Sequence, residues 1–291
     1  MRGVLARTGG APISWGVSEA PDWGVELPAE RVLGEMRELG LDATELGPTG
    51  YLGREPAEVR ALLDRHALKL IGGFLPVPMH VCTDADFAEA RSAMQTLAAA
   101  GSEVVVLAAR SADGSYDRKI RLTEDEWAVL LATLRRLEDL AAELGLRPSL
   151  HPHVGTAIED RASVLRLAES SEVPLCLDTG HLLIGGTDPL ELVKQDPGRI
   201  THVHLKDVRG AVATTVSGGD SSYIEAVRAG LYAPLGDGDL DIGGIVRELE
   251  GAGYQGWYVL EQDAALYQAP APGAGPIDEV RRSLEFLRSA A

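Results

Sequence analysis

The sequence contains little of what marks several classes of protein. Two cysteines, Cys82 and Cys176, occur in 291 residues, which is too few for a disulfide framework. No apolar run approaches the roughly 18 residues of a membrane-spanning helix, and the first ten residues, MRGVLARTGG, lack the apolar core of a signal peptide. We therefore expect a cytoplasmic protein that does not function in a membrane, with Cys176 as a small buried residue of an apolar strand.

Positive charge is also scarce. The chain has 27 Lys and Arg against 44 Asp and Glu, which gives a formal net charge of −17. Nucleic acids and anionic membranes need basic protein surfaces, so we expect neither as a partner. Hydrophobic residues make up 45% of the chain, which is enough to bury one large core.

Short apolar runs alternate with helical patterns along the whole chain. Eight runs are predicted as strands, at 11–15, 43–46, 68–74, 104–108, 147–150, 175–177, 201–206 and 257–260. Eight stretches are predicted as helices, at 29–39, 57–66, 85–100, 124–144, 161–170, 189–195, 242–252 and 277–289. The fourth helix begins with a capping box, Thr123-x-x-Glu126, and ends at Gly145.

Strict alternation of strands and helices predicts a parallel sheet, and eight units fit a closed (β/α)8 TIM barrel better than an open sheet. An open sheet would carry a glycine-rich phosphate fingerprint after its first strand, which residues 9–17, GGAPISWGV, do not supply. Long connections follow the predicted strands and short ones precede them, as at the active-site face of a barrel. None resembles an interdomain linker, so residues 1–291 are predicted to form a single domain.

Histidines mark the ends of the later predicted strands. Five of the chain's seven histidines fall within residues 151–204. Their positions, together with the carboxylates that end other strands, place ionisable side chains at one end of the predicted barrel, where such barrels build their sites. In the seventh strand His202, His204 and Lys206 share one face because side chains alternate along a strand.

A cluster of buried ionisable groups is costly unless something compensates for it, and a divalent cation would do so. The best ligand set takes one residue from each of the last four strands: His151, Asp178, His204 and Glu261. Two imidazoles and two carboxylates suit Mn²⁺, Co²⁺, Fe²⁺ or Zn²⁺ better than Ca²⁺ or Mg²⁺. The alternative is that Asp178 and His181 cap loops while His202 pairs with a carboxylate.

At these residues the chain resembles the xylose-isomerase-like TIM-barrel superfamily of sugar phosphate isomerases and epimerases, and within it the inosose (2-keto-myo-inositol) dehydratases. The resemblance runs nearly end to end. It is carried by APISWGV (11–17), ELGPTGYLG (45–53), HPHVGT (151–156), LDTGHLLIGGTDP (177–189), HVHLKDVR (202–209), EAVRAGLYAPLGDGDLD (225–241) and GYQGWYVLEQD (253–263).

The resemblance implies a metal on strand-end residues, of which Asp178, His204 and Glu261 match the family pattern. At the first ligand position this chain has His151 where many relatives have Glu. His153 is therefore an alternative metal ligand to His151. The implied cofactor is one divalent ion, Mn²⁺ or Co²⁺ first, with Zn²⁺, Fe²⁺ and Mg²⁺ as alternatives. The implied chemistry is proton abstraction beside a carbonyl through an enediolate, which leads either to dehydration or to epimerisation and isomerisation.

Proton transfer falls to His153, His181, Lys206 or Glu45, of which we favour His181 and Lys206. Lys206 could instead form a salt bridge with Asp178, Asp207 or Glu261, and Glu45 could be a cap. The remaining expected site residues are His153, Trp15, Tyr51 and Arg209 against the substrate, with Trp23 as a further stacking candidate, and His202 in support from one layer deeper.

The loop after the seventh strand bears on substrate charge. Its acidic residues, Asp220, Asp237, Asp239 and Asp241, disfavour a phosphate, so we expect a neutral polyol, keto-cyclitol or keto-sugar. Two further hypotheses are an endonuclease that acts on abasic DNA, which the net charge disfavours, and a non-catalytic sugar-binding barrel. A homo-oligomer is compatible with the sequence.

Overall fold

The helices begin and end where local sequence signals place them. In α4 (Glu124–Glu143) the Thr123 side chain accepts a hydrogen bond from the backbone N–H of Glu126, and the Glu126 side chain accepts one from that of Thr123. The chain then turns at Gly145, whose φ is +74°. The predicted helices are confirmed, with boundaries that shift by one residue or less.

The computed structural model describes residues 3–290. Its strands are β1 (Thr8–Gly10), β2 (Ala43–Glu45), β3 (Lys69–Gly72), β4 (Phe74–Pro76), β5 (Val104–Ala108), β6 (Arg147–Leu150), β7 (Leu175–Asp178), β8 (Ile200–Leu205), β9 (Asp207–Val208), β10 (Tyr232–Ala233) and β11 (Tyr258–Leu260). Its α-helices are α1 (Ala29–Glu38), α2 (Pro56–Arg65), α3 (Asp84–Ala100), α4, α5 (Arg161–Ser170), α6 (Thr179–Ile184), α7 (Pro189–Gln195), α8 (Gly210–Gly218), α9 (Tyr223–Arg228), α10 (Ile242–Gly251) and α11 (Pro276–Ala290). Short 3-10 helices cover Val4–Arg7, Pro12–Trp15, Met79–Val81 and Pro197–Arg199.

The main sheet is a parallel barrel. Its nine strands follow the order β3-β2-β1-β11-β8-β7-β6-β5-β4. The two end strands are halves of one stretch that is interrupted at Gly73, and β3 pairs with β2 while β4 pairs with β5. Together β3 and β4 therefore take the place of one barrel strand and close the barrel between β2 and β5. We call this stretch the seam. The predicted (β/α)8 TIM barrel is confirmed.

The interior of the barrel changes from apolar to ionisable along its axis. One apolar cluster contains Ala43, Ile71, Trp257 and Val259, and another contains Val104, Val106 and the free, fully buried Cys176. Two residues further along three of these strands come Glu45, Asp178 and Glu261. The register pairs Asp178 with His204 on the neighbouring strand. The strand C-termini therefore meet as one polar layer above an apolar floor.

The first strand is not where the sequence pattern placed it. Residues 12–15 form a 3-10 helix that starts at Pro12 and ends before Gly16, which has a φ of +83°. The strand lies at Thr8–Gly10 instead. Gly9 and Gly10 have no side chains, so this strand shows no apolar pattern in the sequence. Close packing against Ile71, Leu41 and Met36 leaves no room for side chains at these two positions.

The long connection at 207–241 also contains more structure than expected. It holds α8, α9 and the antiparallel pair of β9 with β10. Likewise, the segment after β7 is the short helix α6 rather than a loop. Within residues 3–290, no helix combines the length and the apolar character that crossing a membrane requires.

Substitution of Gly9 by alanine should destabilise the barrel. The added Cβ would lie 2.6 Å from Ile71 Cδ1 and 3.2 Å from the carbonyl oxygen of Ala43. Overpacking of this kind lowers the free energy of unfolding by about 1–3 kcal/mol. Urea denaturation measures the change.

Gly34 is the matched control. It lies in α1, where an added Cβ would have His66 Cε1 at 3.9 Å as its nearest neighbour. Gly34→Ala should raise the free energy of unfolding by up to about 1 kcal/mol because alanine favours the helix. An unchanged or higher free energy of unfolding for Gly9→Ala would contradict the tight packing of β1.

Candidate active site

A cavity of about 410 Å³ opens at the C-terminal end of the barrel strands. This size lies within the range of small-molecule sites. Five carboxylates line it, from Glu19, Glu26, Glu45, Glu261 and Asp263, and three imidazoles, from His151, His153 and His204. Its apolar and aromatic lining includes Ile13, Trp23, Phe74, Tyr116 and Tyr223. Among residues 3–290, no lysine or arginine lines it.

The four expected metal ligands lie together at the inner end of this cavity. The ligand atoms of His151, Asp178 and His204 all lie within 4.8 Å of one another. Asp178 Oδ2 is 3.5 Å from His151 Nε2 and 3.6 Å from His204 Nδ1. Glu261 joins them through its Oε2, which is 2.5 Å from His204 Nδ1. We call these four residues the metal set.

The buried ligand atoms of the metal set fit a cation. Asp178 Oδ2, His204 Nδ1 and Glu261 Oε2 are buried and form no hydrogen bond of acceptable geometry with the described part of the chain, although His204 Nδ1 and Glu261 Oε2 lie 2.5 Å apart. Buried polar atoms are rarely left in this state. His151, Asp178 and His204 bring two imidazoles and one carboxylate within 4.8 Å of one another. Glu261 adds a second carboxylate beside His204. The buried cluster could therefore hold a divalent metal ion.

Neighbouring groups orient both imidazoles of the metal set. His151 Nδ1 is 2.7 Å from the carbonyl oxygen of Pro152, to which it must donate, so its Nε2 keeps the lone pair that a metal needs. His204 Nε2 is 3.0 Å from Glu45 Oε1, and this contact leaves His204 Nδ1 as the ligand atom. Such outer hydrogen bonds fix the tautomer and the ring orientation of metal-binding histidines.

Glu45 also reaches one layer deeper. Its Oε1 is 2.8 Å from Nε2 of the fully buried His202. Glu45 therefore holds both histidines of β8 rather than capping a helix or a loop. The supporting role expected for His202 matches this position but stays a prediction.

The charges of the metal set favour a cation. Burial opposes the ionisation of Asp178, yet the ammonium of Lys206 holds the pKa of this carboxyl well below its usual value. Burial also opposes the ionisation of Glu261, but His204 and Lys206 lower its pKa. For His204, burial would lower the pKa, and the carboxylates of Glu261 and Glu45 raise it well above its usual value. The metal set thus attracts positive charge, as a proton or as a metal ion.

A stacked pair of histidines lies beside the metal set. The rings of His153 and His181 have centroids 3.7 Å apart. Burial lowers the pKa of His153 to about 3 and that of His181 well below its usual value, so both are neutral. His153 lines the cavity, whereas His181 lies behind it with its Nε2 3.2 Å from Lys206 Nζ.

Lys206 is buried and paired with acids. Its Nζ is 2.5 Å from Asp263 Oδ1, 3.3 Å from Glu261 Oε1 and 3.6 Å from Asp178 Oδ2. Although burial opposes it, these carboxylates raise the pKa of Lys206 well above its usual value, so the side chain stays an ammonium. Asp178 and Glu261, two of the three salt-bridge partners considered for Lys206, are present. The third, Asp207, accepts backbone N–H groups of the loop at 236–240 instead.

Three expected substrate contacts lie away from the cavity. Trp15 is fully buried, and its indole N–H donates to Glu35 Oε2 at 2.8 Å. The Tyr51 hydroxyl donates to the carbonyl oxygen of Leu27. The Arg209 guanidinium donates to the carbonyl oxygens of Gly230 and Tyr232. The polar groups of all three are thus committed to the fold, and the expectation that they face a substrate is not met. Trp23 does line the cavity.

The acidic residues Asp237, Asp239 and Asp241 of the loop after β8 do not line the cavity. Asp237 pairs with Arg282, Asp239 accepts from the backbone N–H of Gly210, and Asp241 caps α10. The acidity of the cavity comes from other residues, among them Glu19 and Asp263. The expectation of a neutral substrate therefore rests on a different set of acids.

Several lining residues were missed from the sequence. Asp263 lies two positions after Glu261, so the alternation that singled out Glu261 could also have found it. Phe74 could have been found because it ends a predicted strand. Tyr223 had no such signal, since it lies on α9 within a connection that shows no strand pattern.

Comparisons with known proteins agree with the fold. The family model described as "Xylose isomerase-like TIM barrel" matches residues 33–290. The curated inosose dehydratase of Geobacillus thermodenitrificans is 33% identical over 97% of this chain and 96% of its own length.

Two solved structures share the fold. The probable 3-DHS dehydratase AsbF of Bacillus anthracis has a TM-score of 0.70 at 17% identity and covers 97% of this chain and 98% of its own. The D-allulose 3-epimerase of Methylomonas sp. in complex with D-allulose also has a TM-score of 0.70, at 18% identity, with 98% and 97% covered. The extent of the family match shows that this chain belongs to the xylose isomerase-like TIM barrel family.

Proposed function

We propose that this protein is a metal-dependent dehydratase, a carbon–oxygen lyase that removes water from a keto-cyclitol such as 2-keto-myo-inositol. The observation that carries the proposal is the buried cluster of His151, Asp178 and His204, whose ligand atoms lie within 4.8 Å of one another at a small-molecule cavity. Glu261 adds a carboxylate beside His204. The near full-length similarity to an inosose dehydratase supports the choice of reaction. The cation that we propose is Mn²⁺ or Co²⁺, and we keep a cytoplasmic location as a prediction.

His151, Asp178, His204 and Glu261 would hold the ion. A divalent cation there supplies Lewis acidity to a ketone and a neighbouring hydroxyl, which makes the carbon next to the ketone more acidic. The chain's own residues then orient the substrate and move the proton.

We assign proton transfer to His153 rather than to His181 or Lys206. His153 lines the cavity, and its Nδ1 donates to the carbonyl oxygen of Val154 at 2.7 Å. The lone pair of the neutral ring is therefore on Nε2, which can accept a proton. The proton taken from carbon is the one that the departing hydroxyl needs. If His153 returns it, the reaction balances as the loss of one water.

The main alternative is an epimerase or isomerase of a non-phosphorylated keto-sugar or inosose. The D-allulose 3-epimerase has the same fold, and both reactions begin with loss of the proton beside the ketone. They differ in whether a hydroxyl leaves or the proton returns to another face or atom.

Incubation of the protein with 2-keto-myo-inositol and Mn²⁺ or Co²⁺ should give a conjugated enone, which absorbs in the near ultraviolet. Glu261→Gln should abolish the signal because it removes a charged ligand, whereas Glu285→Gln, at an exposed position of α11, should not. Exchange of the proton beside the ketone with solvent deuterium, without enone, would favour the epimerase.

His153→Gln should slow enone formation by about 10²–10⁴-fold, the contribution typical of a general acid–base group. Binding of Mn²⁺ should change little. His80→Gln is the control, since His80 is also a buried histidine but lines a different cavity. Normal turnover by His153→Gln, or an equal loss in His80→Gln, would contradict the assignment.

Phosphorylated keto-sugars should be neither substrates nor inhibitors. Five carboxylates and no lysine or arginine of the described chain line the cavity, so the phosphate of a substrate whose keto group binds at the metal would have no cationic side chain as its partner. Enone formation in the presence of inorganic phosphate or a ketose phosphate tests this, with potassium chloride at equal ionic strength as the control. Competitive inhibition by the phosphate would contradict it.

A further inference from the structure

One buried ammonium is shared between the metal set and a carboxylate outside it. The shortest contact of Lys206 Nζ is with Asp263 Oδ1, at 2.5 Å. Its contacts with Glu261 Oε1 and Asp178 Oδ2 are longer, at 3.3 Å and 3.6 Å. Lys206 is only 1% exposed, so little water is available to screen these charges.

The ammonium and a divalent cation compete for the same oxygens. Asp178 Oδ2 lies 3.6 Å from Lys206 Nζ and is also one of the ligand atoms of the metal set. Two cations on one carboxylate repel each other, and the repulsion is strong where the local dielectric constant is low. If Lys206 paired fully with Asp178 and Glu261, it would neutralise the charges that a metal ion needs.

Asp263 is held so that it can accept the ammonium. Its Oδ2 accepts a hydrogen bond from the Tyr223 hydroxyl at 2.5 Å, while Oδ1 faces Lys206. The Tyr223 oxygen is 2.8 Å from the Tyr232 hydroxyl, and the ring of Tyr232 lies 5.2 Å from Lys206 Nζ. Both oxygens of Asp263 therefore have fixed partners in a buried network.

We propose that Asp263 is a positioning residue for the metal site. It binds the ammonium of Lys206 and so leaves Asp178 and Glu261 available to a divalent cation. Removal of its charge leaves Lys206 with two carboxylate partners, both of which belong to the metal set. This inference rests on the proposed metal site but not on the identity of the substrate.

A double-mutant cycle tests the proposal with the affinity for Mn²⁺ and Co²⁺ as the readout, measured by competition with a chromophoric chelator. Asp263→Asn keeps the shape of the side chain and should weaken binding by about 10-fold or more, in the range seen for residues behind metal ligands. Lys206→Met should bind the metal at least as tightly as the unaltered protein. With Lys206→Met already present, Asp263→Asn should cost less than about twofold, since the competing ammonium is gone.

Tyr223→Phe is the matched control because it removes one hydrogen bond to Asp263 and keeps its charge. It should weaken binding less than Asp263→Asn does, because Asp263 keeps its charge beside Lys206 and loses only one of its contacts. The Co²⁺ absorption spectrum of each variant checks that the ligands are unchanged, and thermal unfolding checks that the chain is folded.

An equal loss of affinity on Asp263→Asn with and without Lys206 would overturn the proposal, because Asp263 would then act only as a negative charge. Weaker binding by Lys206→Met alone would also overturn it, even if Asp263→Asn failed to fold. Absence of metal binding by the unaltered protein would overturn the metal site as well. Metal binding with the expected cycle but without enone formation would support Asp263 and reject only the dehydratase.

Discussion

The site depends on the burial of carboxylates beside imidazoles at the C-terminal end of the barrel. Asp178 is fully buried and Glu45 and Asp263 nearly so, and burying such groups as anions is costly unless cations and hydrogen bonds compensate. Lys206 and the histidines of β8 provide part of the compensation, and the proposed metal ion would add to it. The same electrostatic balance favours a neutral substrate, because a further anion would add to a negative charge that is already difficult to bury.

The barrel interior has an apolar lower layer and an ionisable upper layer. Small and apolar residues fill the lower interior, and on β2, β7 and β11 the next residue on the same face is ionisable. The apolar floor excludes water from below, so the interactions of Asp178 and His204 are stronger than they would be at a surface. A fold used for many reactions thus carries its chemistry in a single layer.

Much of this could be predicted from the sequence because periodicity reports it directly. The eight predicted helices and the predicted barrel strands after the first follow from apolar spacing, and the alternation of His202, His204 and Lys206 placed all three on one face. The short elements α6, α8, α9, β9 and β10 showed no such pattern. The first strand was missed because Gly9 and Gly10 have no side chains to register a pattern. Tyr223 was missed because its contacts with Asp263 span 40 residues, and Trp15 was misplaced because its partner, Glu35, lies on another element.

The seam between β3 and β4 has a consequence for how this family can vary. Gly72 ends β3, and a Cβ there would lie 2.9 Å from Glu45 Oε1 and 3.5 Å from His202 Nε2. Because Gly72 has no side chain, the Glu45 carboxylate can occupy this space and contact both histidines of β8. Positions 45 and 72 are coupled by volume: a relative with a larger residue at 72 should carry a shorter side chain at 45, and its histidines should then find another acceptor.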